Sequence, residues 1–444
     1  MTLAAGCKRH DDPICPNLPI ANGLLGQTNY STGAPNAAGL GNKSLRSPNG
    51  PLASNGQVAY LADTGNNRIL GYNAIPTGVA PAADFELGQG DAVGTDFTHA
   101  VAAAGAGALS APSKAATSAD GRLVVADTGN NRVLIWNTLP LTNAPPNVVV
   151  GQVDLDGRFP NQKLAAPTAA TLRNPTAAII ANGLLIVVDQ GNNRVLIWNA
   201  VPSTNNAPAD IELGQPASMT SGGTTTSCTT NSGATSFCFT TAVAGGDAAA
   251  TSSAAAVLGM STPTDVWTDG IRLLISDTGN NRVLYWSQVP VGNNAFYSNV
   301  IGQFQPAQNS AGIGSQRFNA PAGVYADGSN IFVGDAGNNR VLEFTGFPLH
   351  NGAAAAGVFG QSDFEHVAAN DNNQDGAPGD QHAGGSVAAP TFNTLNSPTG
   401  VFVSGAGELY VADLNNHRVM MFPVPSAVTG TTTNLCNGIN PQLN

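Results

Sequence analysis

The apolar residues of this chain come in short runs that do not alternate with polar ones. "LVVAD" (123–127) and "RVLIWN" (132–137, and again at 194–199) are oily on both faces. Runs of that length and kind read as strands buried on both sides. A Pro-led apolar segment precedes each such pair, as in "PTDVWTDG" (263–270) and "PAGVYADG" (321–328). It ends in an Asp-Gly or Asn-Gly turn, the strongest short-range signal for a hairpin. Downstream comes another Pro and a short run closing on Gly-Gln, at Gln27, Gln89, Gln152, Gln215, Gln303 and Gln361. The pattern predicts a unit of four strands: a after the Pro, b before the Asp, c from the Arg, and d into Gly-Gln.

The unit is written six times. Its b–c junctions are "ADTGNNRILGY" from Ala62, "ADTGNNRVLIW" from Ala126, "VDQGNNRVLIW" from Val188, "SDTGNNRVLYW" from Ser276, "GDAGNNRVLEF" from Gly334 and "ADLNNHRVMMF" from Ala412. One position of strand c is always aromatic: Tyr72, Trp136, Trp198, Trp286, Phe344 and Phe422. Similar sheets, greasy on both faces, stack around an axis as a β-propeller. The fold class is therefore all-β, a six-bladed β-propeller of four-stranded antiparallel blades with long insertions on one face. The first Gly-Gln precedes any strand a, and the last unit lacks a strand d. The N-terminal strand then completes the last blade, which removes an exposed edge. Residues 18–425 form one propeller, flanked by an N-terminal tether (1–17) and a C-terminal tail (426–444).

The pieces "ADTGNNRV" and "ADLNNHRVMMF" resemble NHL repeats, and the Gly-Gln spacing is similar to that of bacterial secreted members. The resemblance covers essentially 18–425. Some propellers similar to this family are lyases, lactonases or hydrolases with a metal on the central channel, held by His, Glu or Asn.

Within each b–c turn the Asp is expected to accept hydrogen bonds from following amides, while Gly and Asn tolerate left-handed backbone. The Arg opening strand c suits a forked contact to an Asp of its own or the adjacent blade. Asp63, Asp127, Asp189, Asp277, Asp335 and Asp413, with Arg68, Arg132, Arg194, Arg282, Arg340 and Arg418, are read as an architectural ring at the blade junctions. A motif repeated around a ring suits asymmetric chemistry poorly.

The long segments are all d–a crossovers: 28–47, 90–111, 153–174, 216–262, 304–320 and 362–397. Binding concentrates where rigid strands carry variable loops, so the crossover side is the expected working face. In 362–397, "DNNQDGAPGDQH" (371–382) opens like a calcium loop, with Asp371, Asn373, Asp375 and Asp380 as ligands. The closing Glu is replaced by His382, so any calcium affinity is modest. Strand a offers only small and apolar residues apart from Lys114 and Asp265, and none of the six histidines lies there. A three-His zinc site is not supported, and no nucleophile elbow or phosphate loop occurs.

Composition narrows the function. Net charge is −11, with Lys only at 8, 43, 114 and 163, so the basic face that a nucleic-acid binder needs cannot be assembled. The five cysteines are 7, 15, 228, 238 and 436. Cys15 and Cys436 flank the closing blade and are predicted to bridge the termini; Cys228 and Cys238 would close a loop within 216–262. Ala4-Ala5-Gly6-Cys7 resembles a bacterial lipobox, with the charged and apolar parts of a leader missing before it. It implies an acylated Cys7 and an extracytoplasmic place, as a lipoprotein or secreted protein. The expected function is a non-enzymatic binding or scaffold module engaging a protein or glycan at the cell envelope. The alternatives are a metal-dependent hydrolase or lyase at the channel, and a self-assembling surface protein.

Overall fold

The computed structural model describes residues 19–37, 39–89, 94–215, 218–221, 224–227, 258–371 and 389–423. Six four-stranded antiparallel sheets follow one another along the chain. Blade 2 shows the plan: strand a Pro112–Thr117, b Leu123–Asp127, c Arg132–Trp136 and d Val148–Val150. In blade 6, strands Pro398–Val403, Glu408–Asp413 and Arg418–Pro423 are completed by Gly23–Leu25 from the other end of the chain. The register there is Gly23 to Met421, Leu24 to Met420 and Leu25 to Val419. The propeller is closed as the unpaired first Gly-Gln requires. One element was not foreseen, a hairpin of Ser218–Ser221 and Thr224–Ser227 inside the 216–262 insertion.

Strands b and c are oily on both faces because each blade packs against two neighbours. Val124, Val133 and Ile135 of blade 2 meet Ala178, Leu185, Val187 and Leu196 of blade 3. Ile186, Val188, Val195 and Ile197 of blade 3 turn the other way, onto Val266, Ile275 and Leu284 of blade 4. Alternate residues of one strand thus fill two different cores. The aromatic of strand c is buried in every blade, and Trp136, Trp198 and Trp286 donate their indole N–H to Ala144, Ala207 and Ala295 carbonyls at 2.8–3.0 Å.

The b–c junction is a single 3₁₀ turn, and two of its residues differ from expectation. The left-handed residue is the second Asn: Asn67, Asn131, Asn193, Asn281 and Asn339 have φ of 52–56°. Gly is needed at the preceding turn position for clearance instead. A Cβ on Gly65 would lie 2.6 Å from the Arg46 carbonyl oxygen, to which the glycine N–H donates at 2.8 Å. Blade 6 carries Asn415 at that place, and its N–H bond to the Asn396 carbonyl is stretched to 3.2 Å.

The second Asn also clasps the next blade. Its Oδ1 accepts the N–H of the residue before the next strand-a Pro: Asn67 from Ala111, Asn131 from Asn174, Asn193 from Thr262, Asn281 from Ala320 and Asn339 from Ser397, at 2.6–2.8 Å. The sixth clasp joins the two ends of the chain and uses a different acceptor. The Ser47 N–H donates to His417 Nδ1 at 2.9 Å. Partial burial, and then the nearby Arg46 cation, hold this imidazole below its ordinary value, against a smaller upward pull from Asp413. A protonated Nδ1 cannot accept, so the clasp exists only for neutral imidazole. Folding lowers the affinity of His417 for a proton. Its contribution is therefore complete above the ordinary histidine value near 6.5 and is lost as pH falls through the lower folded value. In urea titrations from pH 7.5 to 5, the native protein is expected to lose up to about 1.4 kcal/mol per pH unit relative to His417→Asn. That variant restores the acceptor used by the other five blades. Parallel curves for the two proteins would disprove the assignment.

Candidate functional site

The arginines are loop organisers, and each is fully buried. Arg132 Nε donates to Asp127 Oδ2 at 2.7 Å, the pairing repeated in all six blades at 2.7–2.8 Å and always within one blade. The remaining nitrogens reach outward. Arg132 Nη2 donates to the Gly105 and Ala108 carbonyls of the incoming crossover, and Nη1 to the Leu155 carbonyl of the outgoing one. Arg418 does the same across the ring closure, with Nη1 on the Tyr30 carbonyl at 2.7 Å. In blades 1 and 3 Nη1 meets a strand-d carboxylate, Glu86 or Glu212 at 3.0 Å, and in blade 1 it also keeps the Phe97 carbonyl of the outgoing crossover at 3.1 Å.

The Asp does not serve the amides that follow it. Asp127 Oδ1 accepts from the Ser110 N–H of the incoming crossover at 2.7 Å, and Oδ2 takes Asn130 Nδ2 beside the Arg. Burial pushes these carboxyls up, and the guanidinium and three donors pull them back; for Asp335 the balance stands at about 6. Burial likewise raises Glu86, to about 7, with Arg68 opposing. The Gly-Gln glutamines complete the system. Gln152 Nε2 bridges the Asn131 carbonyl of the turn and the Phe159 carbonyl of the outgoing crossover, both at 2.9 Å. Its glycine, Gly151, sits at φ +88°, which explains why Gly-Gln is an obligate pair. The variable loops are thereby fixed by invariant parts of the repeat.

Inside this frame, the starts of the a strands line a funnel of about 360 Å³ on the crossover face. Its wall is neutral and polar: Asn49, Ser113, Thr128, Thr176, Gln190, Thr264 and Thr399. Lys114 and Asp265, the two exceptions in strand a, meet there. Lys114 Nζ donates to Asp265 Oδ1 and to the Val266 carbonyl at 3.1 Å. Asp265 also accepts the N–H of Val266 at 2.8 Å and of Val324, in blade 5, at 3.0 Å. The pair joins blades 2 and 4, and both side chains are at most 10% exposed.

Hydroxyls at the funnel wall link one blade to the next at four of the six junctions. Thr64 donates to the Pro112 carbonyl, Thr128 to Pro175 and Thr278 to Pro321. One residue into strand a, Ser113 donates to the Thr176 carbonyl, Thr264 to Ala322 and Thr399 to Asn49. Two junctions lack both links. Between blades 5 and 6 the positions hold Ala336 and Ala322, and nothing polar is left over. Between blades 3 and 4 they hold Gln190 and Thr176. Thr176 Oγ1 is buried and without a partner, and no described group meets the Gln190 amide.

Among the described residues no cluster of three or more His, Cys, Asp or Glu could hold a metal ion. Of the calcium-loop residues, Asp371 is described and is buried; Asn373, Asp375 and Asp380 lie outside the described residues, as do Cys7, Cys15, Cys228, Cys238 and Cys436. The Gln bridges and Asn clasps escaped sequence reasoning, although the Gln recurs six times and the Asn five.

The NHL repeat model matches residues 109–136 and 395–421, which are strands a to c of blades 2 and 6. The chain is a six-bladed β-propeller that carries NHL repeats in those two blades. Solved structures similar to this NHL propeller include a protein of unknown function from Bacteroides thetaiotaomicron, at 10% identity over 91% of this chain and 75% of that one, with a TM-score of 0.44. Virginiamycin B lyase from Staphylococcus aureus matches at 11% identity, 90% and 98% coverage and a TM-score of 0.38. The WD40 propeller domain of Doa1 matches at 8% identity, 95% and 96% coverage and 0.40. No curated protein matches the NHL propeller.

Proposed function

We propose that this NHL propeller is a non-enzymatic binding module that engages a protein or glycan at the cell envelope through its crossover face. One observation carries the reading: the described parts of the variable loops are held by the repeat's own Arg, Asn and Gln side chains. Rigid presentation cuts the ordering cost of binding. Those loops hold large apolar groups in solvent, among them Val153, Phe159 and Leu164 in one crossover and Phe304 and Ile313 in another. Phe159 and Phe304 each have a cation beside the ring, Lys163 Nζ at 3.9 Å from the Phe159 centroid and the Arg317 guanidinium at 4.8 Å from Phe304. Aromatic and Arg side chains are the usual anchors of binding surfaces. The channel charges, Lys114 and Asp265, already satisfy each other, which favours binding over chemistry at the axis. The lipobox-like Ala4-Ala5-Gly6-Cys7 supports an extracytoplasmic place, and among the described residues no helix is long and apolar enough to cross a membrane.

The test is retention of the purified chain on native envelope material. A Phe159→Ser/Phe304→Ser variant is expected to lose at least tenfold in retention. Leu141→Ser/Leu349→Ser, on the opposite face, is expected to bind like the native chain. Loss by the second variant and not the first would assign the partner to the other face.

A further inference from the structure

Resting on the crossover-face reading, we propose that the blade 3–4 sector of the central funnel is a subsite for one sugar ring of a neutral glycan. Within a repeat, a site shows where the repeat is broken, and this junction is broken with polar groups in place. Thr64, Thr128 and Thr278 occupy the turn position that in blade 3 is Gln190, and each donates to the next blade's Pro carbonyl. Gln190 makes no such bond. Its half-buried amide lines the funnel instead. Thr176 stands where Ser113, Thr264 and Thr399 hold the neighbouring blade, yet its Oγ1 is buried with no partner. A buried unpartnered hydroxyl is costly for stability alone. That oxygen is shut off from the funnel as it stands, so a turn about χ1 is needed to bring it to a ligand; the Gln190 amide beside it already lines the funnel and is the group that a ligand meets directly.

The chemistry of the funnel selects the class. An anion would be drawn to Lys114 but would face Asp265 across an ion contact, and a cation would face Lys114. The pair therefore presents no net charge, and its remaining donor and acceptor sites suit hydroxyl groups. The lining contains no aromatic ring, and its apolar parts are Ala, Pro and Gly, so a flat hydrophobic ligand gains little. A neutral molecule with closely spaced donors and acceptors is left. The cavity, about 360 Å³, takes a sugar ring where a single side-chain amide would fill it poorly.

The experiment titrates methyl glycosides of glucose, galactose, mannose and N-acetylglucosamine into the full chain, followed by calorimetry and by NMR. At least one is expected to bind. Thr176→Val and Gln190→Thr are each expected to weaken it about tenfold, the equivalent of about 1.4 kcal/mol. Neither variant should unfold the protein. Valine removes a hydroxyl that has no partner, and threonine restores the repeat's own link, so melting temperatures should hold or rise. That separates loss of ligand from loss of fold. No binding of any glycoside, or equal binding by both variants, overturns the sugar subsite. If the glycosides fail while Phe159→Ser/Phe304→Ser still loses envelope retention, the crossover-face reading stands without it. If Gln190→Thr abolishes retention that protease treatment of the envelope also abolishes, the funnel takes a protein side chain instead.

Discussion

Arg132→Lys is expected to cost the protein at least about 3 kcal/mol, close to what Arg132→Ala costs, although the charge is kept. The reason is geometric. Three guanidinium nitrogens serve three chain segments: Asp127 in its own blade, Gly105 and Ala108 in the incoming crossover, and Leu155 in the outgoing one. An ammonium is one point and can stay with Asp127 or reach a carbonyl, but it cannot span the fork. Each buried carbonyl left without a donor costs about 1–3 kcal/mol. Asp127→Asn tests the other half of the pair, with the shape kept and the charge gone; it is expected to cost about 3 kcal/mol, since it buries an uncompensated guanidinium. Urea unfolding measures both. Hydrogen exchange adds a reading that simple destabilisation does not give, because amides in residues 94–111 and 153–174 should lose protection before those of the strands. Arg132→Lys within 1 kcal/mol of native, or uniform loss of protection, would refute the loop-organiser role.

How much of this was legible follows from what each residue does. The blade count, strand order and closure were carried by local patterns: oily b and c strands, Asp-Gly turns, and a Gly-Gln with no strand a before it. A strand such as Arg194–Trp198 reads as buried on both sides from its own letters, because alternate residues fill different cores. The Asp–Arg pair was also readable, since its members lie five residues apart. What did not show was whom they serve. Asp127 accepts from Ser110, 17 residues upstream, and Gln152 donates to the Asn131 carbonyl of the turn, 21 residues back. Backbone carbonyls and amides carry no letter in a sequence, so a side chain whose partner is main chain leaves only the recurrence of the residue as a trace. The His417 clasp had such a trace, a His among five Asn, but its partner sits 370 residues away in chain order. The funnel was half readable. Lys114 and Asp265 stood out in strand a, and their contact, 151 residues apart, required the ring to close.

That contact yields the second large effect. Lys114→Met is expected to destabilise the propeller by about 3–5 kcal/mol, because it strands a buried carboxylate. Asp265→Asn should cost a similar amount, since the ammonium loses its counter-charge and the single amide oxygen can accept from only one of Val266 and Val324, whose N–H groups use different carboxylate oxygens. The double variant should recover most of the loss and fall within about 1 kcal/mol of native, as a buried ion pair offers little over a neutral pair of the same shape. The other blades show why: at this position of strand a they carry Gly50, Ala177, Gly323 and Gly400, and they close the same ring. A coupling of about 2 kcal/mol or more from the cycle would mark the pair as a cross-axis tie whose members depend on each other. Additive losses would mean that each side chain is held by its own blade. The pair then has no need to be ionic for the fold, and sugar titration of the double variant becomes informative. A propeller that is stable yet blind to the glycoside would assign the charges to recognition, while unchanged affinity would assign them to the strut alone.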